Sequence, residues 1–282
     1  MRKRVWILST VLVTSGLAAQ EVSTFRAYVD SDLCARLMLG PVTESRIECS
    51  RSTVKEGAQA VLVRLRNNLV VTVNKDKMIR PLVGQLAEVT GELKAENGTV
   101  KLQSVTPISA GSIPAGDPSR RLLDARTYRT PGSAQLQEKI RHELAMMPYW
   151  SNFDFISFTL MGSDVILTGW TVRSTNRDTA YNVVKDLKGV EAVVNNIEVL
   201  PLGSMDMQIR AAARAVLQQS LARYFWGNGS DIKIVVKNGQ IILLGTVSRK
   251  ADSDIAYIRC NGIPSVFKVF NLLRVQESQK KG

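Results

Sequence analysis

One stretch of this chain is written twice, and that constrains its fold more than any other feature. LTGWTVRSTNRDTAYNVV starts at Leu167, and LLGTVSRKADSDIAYIRC starts at Leu243, 76 residues later. The offset pairs Trp150 with Trp226, Ile156 with Ile232 and Gly169 with Gly245. It continues through Arg173 and Arg249, Tyr181 and Tyr257, Asn195 and Asn271, and Val199 and Val275. Self-similarity at a fixed period marks a duplicated structural unit. Read without a gap, the offset runs through the first helix of each copy as well.

Each copy predicts helix, strand, strand, helix, strand. Leu136, Ile140, Leu144 and Met147 recur at helical spacing, whereas Ile156, Phe158 and Leu160 alternate as a strand does. Met161-Gly162-Ser163 turns the chain in copy one, and Asn238-Gly239 is the stronger tight-turn signal in copy two. The second strand holds Val165, Leu167 and Gly169, and the second helix carries Ala180, Val183, Val184 and Leu187 on one face until Gly189 stops it. Val193, Asn195, Ile197 and Val199 form the last strand, parallel to the second through a right-handed crossover. The fold class is therefore α+β, with helices on one face of a three-stranded mixed sheet in each copy.

Two paired positions interrupt the apolar pattern. Asn195 and Asn271 read either as amides that contact a ligand or as side chains satisfying backbone groups at a strand irregularity. Gly169 and Gly245 read as close backbone approaches or bulges.

The paired hairpin strands, the helix, and then GVEAVVNNIEV or SVFKVFNLLRV resemble the BON domain of exported bacterial proteins. The resemblance covers residues 133–201 and 205–275 as two αββαβ sandwiches in tandem. It implies a non-enzymatic envelope module, associated with phospholipid surfaces or with envelope integrity, and the family has no catalytic residues to carry over. Pro264-Ser265-Val266 departs from the Gly-Val that usually precedes the last strand.

Residues 23–108 have another texture. FRAYVDSDLCARL, AVLVRLRNNLVVTVN and GQLAEVTGELKAENGTVKLQ give short strands parted by Asn-Asn and Asn-Gly turns, the pattern of an all-β small barrel. GQLAEVTGEL resembles the OB-like barrels of secreted bacterial proteins, though fold analogy alone names no ligand. Export and a nearly neutral segment exclude nucleic acid as a partner. Residues 109–132, rich in Gly, Pro, Ser and Arg, read as a linker without a core.

At the start of the chain, Arg2, Lys3 and Arg4 precede an apolar run from Val5 to Ala19 with small residues near its end. That is the pattern of a signal peptide over residues 1–19, cut after Ala18 or Ala19. With no Cys directly after the cut, a lipid anchor at that point is not expected. The chain is expected to be exported, to a periplasm or outside the cell. There, Cys34 and Cys49 are candidates for a disulfide, worth about 3 kcal/mol for a loop of that size. Cys260 matches Val184 in the other copy and reads as a buried small hydrophobe.

Chemistry is sparse. The one histidine, His142, matches Gln218, and no Cys-x-x-Cys, nucleophile elbow or phosphate-binding loop is written. The chain is read as a non-enzyme, with no metal and no small-molecule cofactor. Its charge is uneven: residues 204–282 hold 12 basic and 5 acidic side chains. This reads as a surface for an anionic partner or as a solvated face. Under the gap-free offset, Ala212, Val216 and Ser220 would take the core positions of the second copy's first helix. Arg210, Arg214, Leu217 and Leu221 would then form one outer flank beside Trp226. Basic, apolar and aromatic groups together suit an anionic membrane surface. These five residues are the candidate lipid-binding set, and the alternative is a scaffold or chaperone-like module that contacts envelope proteins.

Overall fold

A computed structural model describes residues 22–94, 98–124, 133–226 and 231–276. The proposed signal peptide, and the linker from 125 to 132, lie outside these residues. No helix among the described residues is long and apolar enough to cross a membrane.

The front unit is a closed five-stranded barrel of β1 (Val22–Ser31), β2 (Ala60–Arg64), β3 (Val70–Val73), β4 (Leu86–Lys94) and β5 (Thr99–Ile108), in the order β1-β2-β3-β5-β4. Only β3 and β5 run parallel. Ala27, Val29, Leu62, Val71, Ala87, Val89 and Val100 fill its interior. At Gly91 a bulge lets β5 approach closely: a Cβ there would sit 2.6 Å from the Lys101 carbonyl oxygen.

The all-β expectation for this unit is incomplete. Two helices, α1 (Asp32–Leu37) and α2 (Glu44–Lys55), lie between β1 and β2. Both start from side-chain caps: Cys34 N donates to Ser31 Oγ at 3.0 Å and Arg46 N to Thr43 Oγ1 at 3.3 Å. ESRIECSRSTVK shows almost no apolar stripe, which is why periodicity passes over it. Polar bonds hold it instead. Arg46 is buried across the Asp30 carboxylate (Nη2 to Oδ2 2.7 Å) and over the Tyr28 ring, and a disulfide joins Cys34 to Cys49.

The predicted linker also acquires packing. Ile113 is fully buried against Tyr28, Val63 and Met161, and Arg120 Nε donates to its carbonyl at 2.7 Å.

Each BON-like copy forms the expected unit. Copy one contains α3 (Ser133–Ala145), β6 (Phe155–Met161), β7 (Asp164–Thr171), α4 (Ser174–Lys185) and β8 (Ala192–Val199), with sheet order β6-β7-β8. Copy two contains α5 (Ser204–Leu221), β9 (Ile232–Lys237), β10 (Gln240–Val247), α6 (Lys250–Asn261), β11 (Lys268–Asn271) and β12 (Arg274–Val275). In both, the crossover strand pairs parallel with the second strand.

The helix-free faces of the sheets are buried too. Trp170 and Leu200 of copy one meet Val235, Ile242, Leu244 and Phe270 of copy two and Leu33 of α1 in one apolar cluster. That is why seven of the eight residues of β7 are buried. Four charges close this junction. Asp32 accepts from Arg36 Nε at 2.8 Å and from Lys237 Nζ at 2.9 Å, while Glu198 pairs with Arg36 at 3.0 Å and with Lys237 at 2.8 Å. Burial pushes the Asp32 carboxyl up, but Arg36 and Lys237 outweigh it and hold the group at about 2. Asn196 bridges barrel and copy one, accepting from Val70 N at 3.0 Å and donating to the Asn68 carbonyl at 2.7 Å.

The gap-free offset fails in the first helix. Copy one packs Leu136, Ile140, Leu144 and Met147 into its core, and copy two packs Ala213, Leu217, Leu221 and Tyr224. Those pairs are 77 apart, while from the tryptophans onward the offset is 76. One residue of slip turns a helix face by about 100°.

Candidate functional site

That slip decides the fate of the proposed lipid-binding set. Leu217 and Leu221 are core residues and reach no surface. Arg210 is only 4% exposed; its Nη2 donates to the carbonyls of Val236 (2.8 Å) and Pro201 (3.1 Å). Arg214 is exposed, and Trp226 is 77% exposed. The five residues therefore do not form one outer flank: two belong to the core, one is buried at its edge, and two face solvent.

Arg210 and Arg214 do share a groove of about 430 Å³ between the two copies. Phe153 and Val172 from copy one and Leu202 from the connection form one side. Met207, Ala211, Ala215 and Gln218 from α5 form the other. The small alanines leave the depth, because α5 turns its larger side chains into the core of copy two. Arg210 Nε is buried there without a hydrogen-bond partner. Burial pushes this guanidinium below its usual range, with the nearby Asp206 carboxylate opposing. Arginine nonetheless stays protonated, so the groove combines apolar walls with one buried and one exposed cation. The walls come from separate stretches of the chain, and no single-segment pattern could have assembled them; of the lining, only Arg210 and Arg214 were singled out by the sequence.

The two tryptophans share an offset but not a role. Trp150 is half-buried, its Nε1 donates to the Leu144 carbonyl at 2.9 Å, and Lys233 of copy two lies over its ring. Trp226 is left open to solvent. Other exposed apolar side chains include Met146, Tyr149, Met207, Ile258 and Phe267.

The paired positions are structural. Asn195 Nδ2 donates to the Arg177 carbonyl at 3.2 Å, and Asn271 Nδ2 to the Ser253 carbonyl at 3.1 Å, the same bond in both copies. A Cβ on Gly169 would lie 1.9 Å from the Phe155 carbonyl oxygen, and one on Gly245 1.8 Å from that of Asp231. Both have positive φ, at 122° and 111°. Burial pushes the Cys260 thiol up to about 12, so it packs as a hydrophobe. His142 is exposed, and no cluster of metal-ligating side chains occurs among the described residues.

The BON domain profile matches residues 132–201 and 206–277, half of the chain. The chain belongs to the BON-domain family. Its first helices, hairpins and crossover strands are thus those of two BON domains in tandem. The chain is also 32% identical over 114 residues to the outer membrane lipoprotein DolP of Haemophilus influenzae, covering 39% of this chain and 58% of that protein. It therefore spans less than two thirds of that relative's length. Among solved structures, the C-terminal domain of CdsD, a structural protein of the type III secretion system of Chlamydia trachomatis, aligns with 50% of this chain and 98% of its own. It does so at 13% identity and a TM-score of 0.21. A second CdsD structure gives 51%, 94%, 14% and 0.22 in the same terms.

Proposed function

We propose that this protein is an exported, non-enzymatic module of the bacterial envelope whose second BON domain docks on anionic phospholipid. The groove between the BON domains carries this reading. Its walls accept an acyl chain or apolar headgroup surroundings, Arg210 Nε offers a buried donor, and Arg214 stands at the surface. Trp226 supplies an aromatic ring suited to the lipid–water interface. The relative named as an outer membrane lipoprotein supports an envelope location.

Co-sedimentation of the exported chain with phosphatidylglycerol-containing and pure phosphatidylcholine vesicles tests the reading. Binding should require the anionic lipid and fade as salt rises, since each surface cation contributes about 1 kcal/mol that screening removes. Trp226→Ala should weaken it severalfold. Absence of sedimentation with either lipid at low salt overturns lipid docking and leaves a protein partner, to be sought by cross-linking in the envelope.

A further inference from the structure

The barrel has a basic pocket that the membrane reading does not use. It is about 290 Å³, at one end of the barrel, lined by Thr24, Phe25, Arg26, Arg64, Arg66, Glu88 and Ser119. In the β1–β2 register Arg64 stands opposite Ala27, a fully buried interior residue, so Arg64 turns toward the barrel interior at the end of β2. Its guanidinium carbon lies 4.9 Å from the centroid of Phe25, and its Nε is buried without a hydrogen-bond partner.

The carboxylates nearby do not neutralise it. Asp117 is held by Arg26, and Glu88, exposed and opposite Arg26 in the β1–β4 register, lines the pocket but forms no ion pair with Arg64 or Arg66. Burial and the like charge of Arg66 both push the Arg64 guanidinium below its usual range. Two guanidinium groups sharing a partly desolvated pocket, neither of them ion-paired to a carboxylate, repel each other, and an oxyanion between them relieves that cost. Planar guanidinium forks match a tetrahedral or planar oxyanion in paired hydrogen bonds.

We propose that this end of the barrel is a binding site for a phosphate group, gripped by Arg64 and Arg66 over the Phe25 ring. The phosphate belongs either to a small soluble molecule or to a lipid headgroup. The site is independent of the groove between the BON domains.

Isothermal titration of the full exported chain with inorganic phosphate, against chloride at matched ionic strength, is the test. The expected result is saturable one-to-one binding, weakened at least tenfold by Arg66→Gln and by Arg64→Gln and unchanged by Lys188→Gln, an exposed cation outside both sites. Arg66 is exposed, so its variant keeps the fold even where Arg64→Gln disturbs the barrel, and a circular dichroism melt checks both. No saturable heat above the chloride control, or equal binding by both arginine variants and the parent, overturns the site. Phosphatidate vesicles then separate the sources. If inorganic phosphate competes with vesicle binding and Arg66→Gln lowers it, the phosphate is a headgroup; if Arg66→Gln loses only inorganic phosphate, the ligand is soluble. A failure of the Arg214→Glu vesicle experiment leaves this site untouched.

Discussion

The two BON domains agree where the sheet meets backbone and disagree where the first helix meets solvent. Both keep the glycine that lets neighbouring strands approach and the asparagine that donates to the helix carbonyl 18 residues earlier. Between helix and tryptophan they differ by one residue, so α5 matches α3 at an offset of 77 while the sheets match at 76. At that offset Leu217 and Leu221 take the core places of Ile140 and Leu144, and Ala215 and Arg214 line a groove in place of copy one's Glu138 and Gln137. Trp226 is also far more open than Trp150. Duplication thus fixes the sheet, its crossover and the inner face of the first helix, while different side chains on the outer face of that helix give one copy a new surface.

The comparison breaks first at its glycines. Gly245→Ala and Gly169→Ala each force a Cβ into a backbone carbonyl at positive φ, with an expected loss of about 3–5 kcal/mol by chemical denaturation. A loss near zero in either copy would mean that the close approach is not shared. The helix register comes next. Leu217→Ala should cost about 2–5 kcal/mol, like Ile140→Ala, whereas Val216→Ala, only partly buried, should cost about 1 kcal/mol. The reverse ranking would restore the gap-free offset.

The junction between the copies responds to pH. An unfolded aspartate titrates near 3.9, whereas Asp32 is held at about 2. Its depressed value contributes about 2–3 kcal/mol that is fully present above roughly pH 4 and is lost as pH falls toward 2. Urea melts across that range should show the loss, and Asp32→Asn should flatten it. The smallest effects belong to the shared amides. Asn195→Ala and Asn271→Ala should each cost about 1–2 kcal/mol for an unsatisfied carbonyl, and similar values would confirm one role in both copies.

The repeat made the element order, hairpins and parallel crossovers of both BON domains legible, because periods of 2 and 3.6 residues report burial within one segment. The barrel strands were legible for the same reason. α2 was not, since Arg46, Asp30 and the disulfide hold it rather than an apolar stripe. The groove was half legible. Arg210 and Arg214 were singled out, but assigning Leu217 and Leu221 to the same flank assumed that an offset measured in strands also holds in a helix. Phe153, Val172 and Leu202 reach the groove only through tertiary packing, and so do Asp32, Arg36, Glu198 and Lys237 at the junction.

The central proposal, that the outer side chains of α5 give the second copy alone a lipid-facing surface, is tested by placing one negative charge at matching positions in both copies. Under the 77-residue helix offset, Arg214 corresponds to Gln137. Sedimentation with phosphatidylglycerol-containing vesicles should drop at least tenfold in affinity for Arg214→Glu and stay near the parent for Gln137→Glu. Equal losses, or no loss for Arg214→Glu, would contradict it.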